Sequence, residues 1–459
     1  MSVMMDLLSA ARAMAGQLAG DNLGFCGVST DSRTIAAGEL FLALRGENFD
    51  GHHYVEAAQA RGAVAAVVAA DAADGLSSLG LPLILVDETR LALGALAADW
   101  RSRFTLPVIA VTGSNGKTTT KEMIASILKA TFGEAVLSTA GTYNNDIGLP
   151  LTLLRLNAGH RAAIIEMGMN HPGEIAYLAG IARPGVAVVT NAQRAHLAGM
   201  GSLEAIAREK GSIYSGLDEH GIAVFSADDP WAYLWRAQSR GLGVMTFGFE
   251  QPADVSGKAY LHGLESRLSV VAAGGQFEVF LSLPGQHNAR NALAAAAACL
   301  AAGVSLAAVQ AGLASFRGLK GRLQRRAALH GSVLLDDTYN ANPDSVRAGI
   351  DVLAATIGRK VLVLGDMGEI GEMSGQFHDE IGGYAKSQGI DRLLALGDAS
   401  ALAAHNFGAG GEHYTNIDKL IAALTAELTP ETTVLVKGSR FMRMERVAEA
   451  ISLPSEGSE

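Results

Sequence analysis

Cysteine is scarce in this sequence: Cys26 and Cys299 are the two cysteines among 459 residues, and they lie far apart in the chain. A pair so widely separated excludes a disulfide framework and a thiolate metal cluster, and it fits a reducing environment. Residues 1–12 contain Asp6 and lack a basic patch followed by a long apolar run, so no secretory leader is predicted. We therefore expect a cytoplasmic protein.

Positive charge is also in deficit. The chain has 36 lysines and arginines against 46 aspartates and glutamates, which gives a net charge of −10. This balance argues against a nucleic-acid partner, because nucleic-acid phosphates are bound by basic surfaces. It does not exclude a small anionic ligand, since a few local Lys and Arg side chains and backbone amides are enough to bind one.

One uncharged stretch, residues 292–316, is long enough to cross a bilayer. It is mostly alanine, which contributes little to membrane insertion, and it is interrupted by Gly303 and Ser305 as a helix C-cap and a following N-cap. The pattern therefore predicts two packed helices and no membrane insertion. The polar tail, residues 454–459, is predicted to be disordered.

Glycine, by contrast, is abundant: 54 of 459 residues, or about 12% against about 7% in average usage. This excess indicates many tight turns and close backbone approaches, which nucleotide-binding α/β proteins need. Hydrophobic residues make up 49% of the chain, enough for several packed cores. The length corresponds to roughly three domains of about 150 residues each.

Changes of pattern divide the chain into three predicted domains, residues 1–104, 105–318 and 319–459. The first boundary is expected in a polar linker around 101–103, and the second in the Gly- and Arg-rich stretch 317–326. Apolar runs alternate with helical patterns throughout, which predicts an α/β fold with mostly parallel sheets and helices on both faces. The predicted strands are 64–68, 83–86, 108–111, 163–167, 186–190, 222–225, 333–335, 361–364, 393–396 and 434–436, with a hairpin of 268–271 and 277–283 around Gly274 and Gly275.

Residues that can carry chemistry fall where predicted strands end. Ligands of open parallel sheets bind at the carboxyl ends of the strands. The residues predicted at the end of a strand or within two positions after it are Gly113, Glu166, Asn191, Asp337, Gly365 and Lys437.

The strongest motif is Thr-Gly-Ser-Asn-Gly-Lys-Thr-Thr-Thr at residues 112–120, between a predicted strand and a predicted helix with one apolar face. Such a loop cradles phosphate with backbone amides and the helix N-terminus, while Lys117 reaches the β- and γ-oxygens and Thr118 supplies a hydroxyl to Mg²⁺. The spacing departs from the general P-loop rule, because Val111 stands where the first glycine is expected and Gly113 is the first glycine. The alternative is an incidental Gly-rich turn.

Glu166 ends a predicted strand, His196 follows another, and Lys210 lies in a helical run. A carboxylate and a neutral imidazole can hold a metal ion beyond the one at Thr118. Taken alone, each residue also fits a structural role, and Lys210 fits a solvated charge.

Together with this loop, further segments resemble the Mur ligases, the ATP-dependent amino-acid and peptide ligases of bacterial cell-wall precursor synthesis. Thr-Gly-Ser-Asn-Gly-Lys-Thr-Thr is that family's form of the P-loop. The other matching segments are 144–152, 170–175, 336–343, 364–369 and 436–440. Segment 336–343, Asp-Asp-Thr-Tyr-Asn-Ala-Asn-Pro, is most typical of the members that add D-alanyl-D-alanine to a UDP-N-acetylmuramoyl-tripeptide.

The resemblance implies a central P-loop-type domain, a Rossmann-like C-terminal domain that closes over ATP and binds the incoming dipeptide, and a smaller N-terminal domain that binds the UDP-sugar. It implies Lys117, Glu166, His196 and Lys210 as catalytic residues. The implied ATP contacts are Gly113, Ser114, Asn115, Gly116, Lys117, Thr118, Thr119, Asn291, Arg322, Asp337, Tyr339 and Asn340.

The resemblance also implies two Mg²⁺ ions, one on Thr118 and Glu166 and one on His196 and Lys210. Lys210 would be carbamylated, because a free ammonium repels Mg²⁺ whereas a carbamate is a carboxylate-like ligand. The implied substrate contacts are Ser32, Arg33, Gly46, Asp50, His52, Asn144, Asn145, Asn342, Lys437 and Ser439. We expect a monomer.

Two positions depart from the pattern of this subtype: Thr142 replaces the usual asparagine, and Ala198 replaces a common acidic residue. Neither is an implied metal ligand, so the departures concern local substrate contacts. The alternatives are a sister ligase, which adds one amino acid to a UDP-linked peptide or glutamate to folate, and a non-catalytic nucleotide-binding regulator. Whether the tripeptide ends in lysine or diaminopimelate stays open, as does the base that deprotonates the incoming amine.

Overall fold

The computed structural model describes residues 3–46 and 48–453, and the strands in those ranges form three large sheets of five, nine and six strands. The predicted α/β class with mostly parallel sheets and helices is confirmed. The tail for which disorder is predicted, residues 454–459, lies outside the described residues, and so do residues 1–2 of the segment 1–12.

The N-terminal sheet has a short, strongly buried centre. In spatial order its strands are Gln17–Ala19, Leu83–Val86, Ala65–Ala69, Leu40–Leu42 and Val28–Ser29. Its neighbours are parallel except for the first pair. Helices Leu7–Ala13, Val55–Ala60 and Thr89–Ser102 belong to this region, as do the two-stranded pairs Met5–Asp6 with Gly24–Phe25 and Arg45–Gly46 with Phe49–Asp50.

The central sheet is a parallel sheet extended by an antiparallel ribbon. In spatial order its strands are Val136–Ser138, Ala162–Glu166, Val108–Thr112, Val186–Val189, Ile222–Ser226, Gly243–Gly248, Val255–His262, Glu265–Ala272 and Gly275–Leu281. The last two join antiparallel, which confirms the predicted hairpin. Its helices are Lys117–Phe132, Gly148–Leu153, Glu174–Ala182, Leu197–Met200, Leu203–Gly211, Ala232–Gln238, Gln286–Ala301 and Leu306–Ser315.

The C-terminal sheet is parallel except at its first edge. In spatial order its strands are Gln324–Ala327, Val333–Asp337, Thr432–Lys437, Arg359–Gly365, Arg392–Leu396 and Gly411–Tyr414. Its helices are Pro343–Ala354, Ser374–Ser387, Ser400–Phe407, Ile417–Glu427 and Glu445–Ile451. Every predicted strand of this region is present, with its ends shifted by a few residues.

Residues 292–316 form the predicted pair of helices, Gln286–Ala301 and Leu306–Ser315. Gly303 has a positive φ of 80°, and the Ser305 side chain accepts a hydrogen bond from the Ala308 amide, so the predicted cap residues are confirmed. The alanine face packs against the buried residues of helix Lys117–Phe132, among them Ile124. No helix in residues 3–46 or 48–453 is both long and apolar enough to span a membrane.

The predicted polar linker around 101–103 is wrong for its first two residues, because helix Thr89–Ser102 continues through them. Arg101 is buried, and its guanidinium donates to the carbonyl oxygens of Ala182, Phe104 and Arg183. Carbonyls at helix ends lack partners within the helix, so they can satisfy a buried guanidinium. The Arg101 side chain therefore connects helix Thr89–Ser102 to the end of helix Glu174–Ala182, and its charge does not mark a linker.

Candidate active site

The predicted phosphate loop follows strand Val108–Thr112, an interior strand of its sheet that lies between two parallel neighbours. Gly113 and Gly116 have φ values of 149° and 80°, which favour glycine. A Cβ on Gly116 would lie 2.2 Å from Oδ1 of Asn291, so the backbone approaches the helix that carries Asn291 very closely. Helix Lys117–Phe132 begins directly after the loop and directs its N-terminal amides there.

A cavity of about 870 Å³ opens over this loop, and all three predicted domains contribute to its wall. It brings together most of the residues implied as ATP contacts, from the loop, from helix Gln286–Ala301 and from the C-terminal region. The lining includes Ser114, Asn115, Gly116, Lys117, Thr118, Thr119, Asn291, Arg322, Asp337, Tyr339 and Asn340. Glu166, His196, Asn144, Asn145, Asn342 and Lys437 also line it, whereas Gly113, Lys210 and Ser439 are not among the lining residues.

Lys117 lies inside the phosphate loop. Its Nζ donates to the carbonyl oxygens of Gly113, at 2.7 Å, and Ser114, at 3.1 Å. Burial lowers the pKa of this ammonium, and the nearby Glu166 carboxylate opposes that shift. The cation is therefore held among backbone dipoles at the position where phosphate oxygens bind a loop of this type.

Glu166 and Lys210 each have a buried side-chain atom whose hydrogen bonding is incomplete within the described residues. One carboxylate oxygen of Glu166, Oε1, accepts from Nδ2 of Asn144 at 2.8 Å. In the part of the chain that the structure describes, Oε2 of Glu166 and Nζ of Lys210 are buried and have no hydrogen-bond partner. Burial, together with the positive charge of Lys117, lowers the pKa of Lys210 well below its ordinary value. Such atoms are costly to bury unpaired, so they indicate a missing partner.

His196 has a left-handed conformation, with φ 59°, and its Nδ1 lies 2.9 Å from Oε2 of Glu369. Glu369 is also left-handed, with φ 61°, and it belongs to the C-terminal region. Thr118 Oγ1 accepts from Nη2 of Arg322 at 2.9 Å, and the Arg322 guanidinium lies 4.0 Å from the centroid of the Tyr339 ring. The phosphate loop and the C-terminal region therefore meet across the cavity.

In the C-terminal wall, several residues implied as ligand contacts bind each other. Lys437 Nζ donates to Oδ2 of Asp337 at 2.5 Å and to the Asn340 carbonyl at 3.0 Å. Burial raises the pKa of Asp337, and Lys437 opposes that shift. Ser439 Oγ donates to the Ala341 carbonyl and accepts from the Gly368 amide. These bonds connect the segments of the wall to each other, and the ligand contacts of its residues stay predictions.

The implied substrate contacts of the first predicted domain, Ser32, Arg33, Gly46, Asp50 and His52, are not among the residues that line the cavity. Arg33 is exposed and pairs with Asp31 at 2.8 Å, beside the buried Ser32. Asp50, in the hairpin with Gly46, binds Nδ1 of His52 at 2.5 Å.

Nε2 of His52 accepts from the Ala69 amide, so this imidazole is neutral, with its proton on Nδ1. His52 thereby holds the hairpin to the N-terminal sheet. Its contact with the UDP-sugar stays a prediction.

Sequence reasoning missed Arg90, Asp146, Arg194 and Glu369. Arg90 pairs with Asp146 across the N-terminal and central regions, and both line the cavity. Asp146 and Glu369 lie inside the matched segments 144–152 and 364–369, so their position in those motifs was an available signal. Of the two departures, Thr142 lines the cavity, and the Ala198 amide donates to the Glu369 carbonyl at 3.4 Å.

Comparison with known protein families finds matches along most of the chain. Residues 25–101 match the profile described as Mur ligase family, catalytic domain. Residues 111–299 match the Mur ligase middle domain, and residues 321–440 match the Mur ligase, glutamate ligase domain.

Individual proteins are similar over nearly the full length. The UDP-N-acetylmuramoyl-tripeptide–D-alanyl-D-alanine ligase of Escherichia coli (strain K12) is 42% identical over 442 residues, covering 95% of this chain and 96% of that protein. A crystal structure of MurF from Acinetobacter baumannii is 35% identical with a TM-score of 0.89, covering 96% of this chain and 97% of that one. The MurF ligase of Thermotoga maritima in complex with ADP is 30% identical with a TM-score of 0.81, covering 92% and 96%.

Proposed function

Because the chain belongs to the Mur ligase family, we propose that it joins D-alanyl-D-alanine to a UDP-N-acetylmuramoyl-tripeptide at the expense of ATP. The products are the UDP-linked pentapeptide precursor of peptidoglycan, ADP and phosphate. One observation carries this proposal: the cavity places the phosphate loop opposite segment 336–343, the segment most typical of ligases with this acceptor.

The reaction forms an amide from a carboxylate, which must first be activated. The terminal carboxylate of the tripeptide attacks the γ-phosphorus, the bond to the β,γ-bridging oxygen breaks, and ADP leaves with that electron pair. The amine of D-alanyl-D-alanine then attacks the carbonyl carbon of the acyl phosphate, loses a proton, and phosphate departs from the tetrahedral intermediate. Lys117 binds the β- and γ-phosphate oxygens and stabilises the charge of the transferring phosphoryl group.

Magnesium fits the donor atoms of this cavity. No group of three or more His, Cys, Asp or Glu side chains that could hold a metal is found among the described residues, so other donor types are needed. Oε2 of Glu166 is buried and free to bind a cation, and Thr118, whose hydroxyl is a second oxygen donor, lines the same cavity at the start of the helix. When bound, Mg²⁺ supplies charge that offsets the repulsion between the two reacting anions. Thr118 and Glu166 would hold one ion, and His196 and Lys210 the other.

Lys210 suits a carbamate. Its fully buried Nζ has no partner within the described residues, and burial beside Lys117 favours the neutral amine, the form that reacts with CO₂. The product is an anion that has carboxylate-type oxygens. That anion would pair with a cation in a place where an ammonium has nothing to bind.

We assign the work of the reaction to the three predicted domains. Residues 1–104 bind the UDP-sugar end, residues 105–318 bind ATP through the phosphate loop, and residues 319–459 bind the incoming dipeptide and close over ATP. The contacts of Arg322 with Thr118, and of Glu369 with His196, support such closure, since they join the second and third of these domains. We further propose a cytoplasmic monomer.

Phosphate release tests this function. With ATP, Mg²⁺ and a UDP-linked tripeptide, we expect release with D-alanyl-D-alanine as the sole amine and at least about a hundredfold less with D-alanine, L-lysine or L-glutamate, since a site built for two residues leaves polar groups unpaired with one. Parallel assays with tripeptides ending in lysine and in diaminopimelate identify the donor. Preference for a single amino acid would instead indicate a sister ligase. Nucleotide binding without release under any of these conditions would indicate a regulator.

A further inference from the structure

Arg194 connects the loop after strand Val186–Val189 to the C-terminal region. Its Nε and Nη2 donate to Oδ1 of Asp344 at 3.0 and 2.7 Å, and its backbone amide donates to Oδ2 at 2.8 Å. Its Nη1 donates to Glu380 at 2.9 Å, and the guanidinium lies 5.2 Å from the ring centroid of the buried Phe377. One side chain therefore binds two helices, Pro343–Ala354 and Ser374–Ser387.

These bonds are stronger than an ordinary surface ion pair. The side chains of Arg194 and Asp344 are each 22% exposed, so solvent screens the pair weakly. A forked, charge-assisted contact of this kind fixes orientation as well as distance.

The loop that carries Arg194 also contacts the phosphate loop. The neighbouring Gln193 accepts from Nδ2 of Asn115 at 2.7 Å through its side chain and from Oγ of Ser114 through its carbonyl. Asn342, two residues before Asp344, caps helix Pro343–Ala354 and donates to Oδ1 of Asn115 at 2.8 Å. A short path of hydrogen bonds thus runs from the phosphate loop to the start of that helix.

We infer that Arg194 is a positioning residue for ATP: its fork with Asp344 and Glu380 holds the C-terminal wall of the nucleotide cavity against the phosphate loop. This inference rests on the proposed function for the identity of the reaction but not for the binding of nucleotide. Without the fork, Arg322 and Tyr339 would spend more time away from Thr118, so ATP would bind more weakly while the chemistry at saturation stays intact.

The test measures the effect of Arg194→Met on nucleotide binding and turnover. We expect the Kd for ADP by calorimetry and the KM for ATP to rise about tenfold, with kcat within about threefold of wild type, because saturating nucleotide restores the closed arrangement. X-ray scattering should show compaction by ADP and Mg²⁺ in the wild-type protein at lower nucleotide concentration than in the variant. A purely structural role would instead lower kcat and Tm with no selective change in KM.

A matched control is Arg347→Met, which removes a cation that also binds Glu380, at 3.0 Å, but leaves the Arg194–Asp344 fork in place. We expect less than about a twofold change in ADP affinity. Asp344→Asn completes a double-mutant cycle in which the double variant should bind ADP about as weakly as Arg194→Met alone.

Unchanged ADP affinity in Arg194→Met, additive effects in the cycle, or an equal loss in Arg347→Met would each overturn the inference. If Arg194→Met does not fold, ADP affinity is measured in Asp344→Asn instead, and an unchanged affinity in that variant would overturn the inference. The ADP and scattering measurements need no acceptor, so they stand even if the wild-type protein fails to use D-alanyl-D-alanine.

Discussion

Replacing Lys117 with alanine is expected to lower kcat/KM for ATP at least about a thousandfold, measured as phosphate release with the tripeptide and D-alanyl-D-alanine present. In the structure its Nζ lies within the phosphate loop, donating to the carbonyls of Gly113 and Ser114. Arg322, whose charge also acts on Lys117, would have to move to take its place at the γ-phosphate, because Arg322 is bound to Thr118 and lies over Tyr339.

Two variants serve as controls for this prediction: one removes another lysine of the same helix, and one keeps the positive charge at residue 117. Lys129 is on helix Lys117–Phe132, is exposed and pairs with Glu134 at 2.8 Å, so Lys129→Ala should stay within about twofold of wild type. Lys117→Arg keeps the charge but puts a larger, planar group into a closely packed loop, and it should lose nearly as much as alanine. Retained turnover in folded Lys117→Ala would contradict the phosphate-loop assignment.

Replacing Lys210 with alanine is expected to lower turnover at least about a hundredfold and to be rescued in part by added formate or acetate. Alanine leaves space at a buried position where the carbamate would present its oxygens. A short carboxylate supplies the same donor atoms and charge, so activity should rise with its concentration and saturate. Turnover is measured over a series of carboxylate concentrations at constant ionic strength.

Two variants separate this effect from general consequences of mutation. Lys210→Arg places a permanent cation at this position and cannot form the carbamate, and its larger side chain leaves no space, so it should be inactive and not rescued. Lys129→Ala should respond to added carboxylate as wild type does. A Lys210→Ala protein with normal activity, or one that is folded and inactive at every carboxylate concentration, would refute the carbamate role.

The sequence predicted the phosphate loop because its chemistry is local. Strand, glycines, Lys117 and Thr118 follow each other within a few residues, and the helix behind them has a clear apolar face. Glu166 was predictable too, since the ends of adjacent parallel strands meet at one edge of a sheet. Strong local patterns therefore predicted which parts of the central sheet border the cavity.

The sequence could not predict the contacts that join the central region to the C-terminal region. Arg194 and Asp344 are separated by 150 positions, and neither belongs to a motif that announces the other. Strands Val136–Ser138 and Gly243–Gly248 were missed because one is very short and the other begins with partly exposed residues. The charge of Arg101 predicts an exposed linker residue, since the carbonyl partners that allow its burial lie far along the chain. These contacts and strands depend on which distant residues pair in the fold, and a local sequence pattern carries no information about that pairing.

The most direct test of the central claim follows an oxygen atom. A UDP-N-acetylmuramoyl-tripeptide with ¹⁸O in both oxygens of its terminal carboxylate is turned over with ATP and D-alanyl-D-alanine, and the released phosphate is analysed by mass. Activation of that carboxylate by the γ-phosphate predicts one ¹⁸O in each phosphate and one ¹⁸O left in the new amide. Phosphate without label, released at the rate of turnover, would contradict the account.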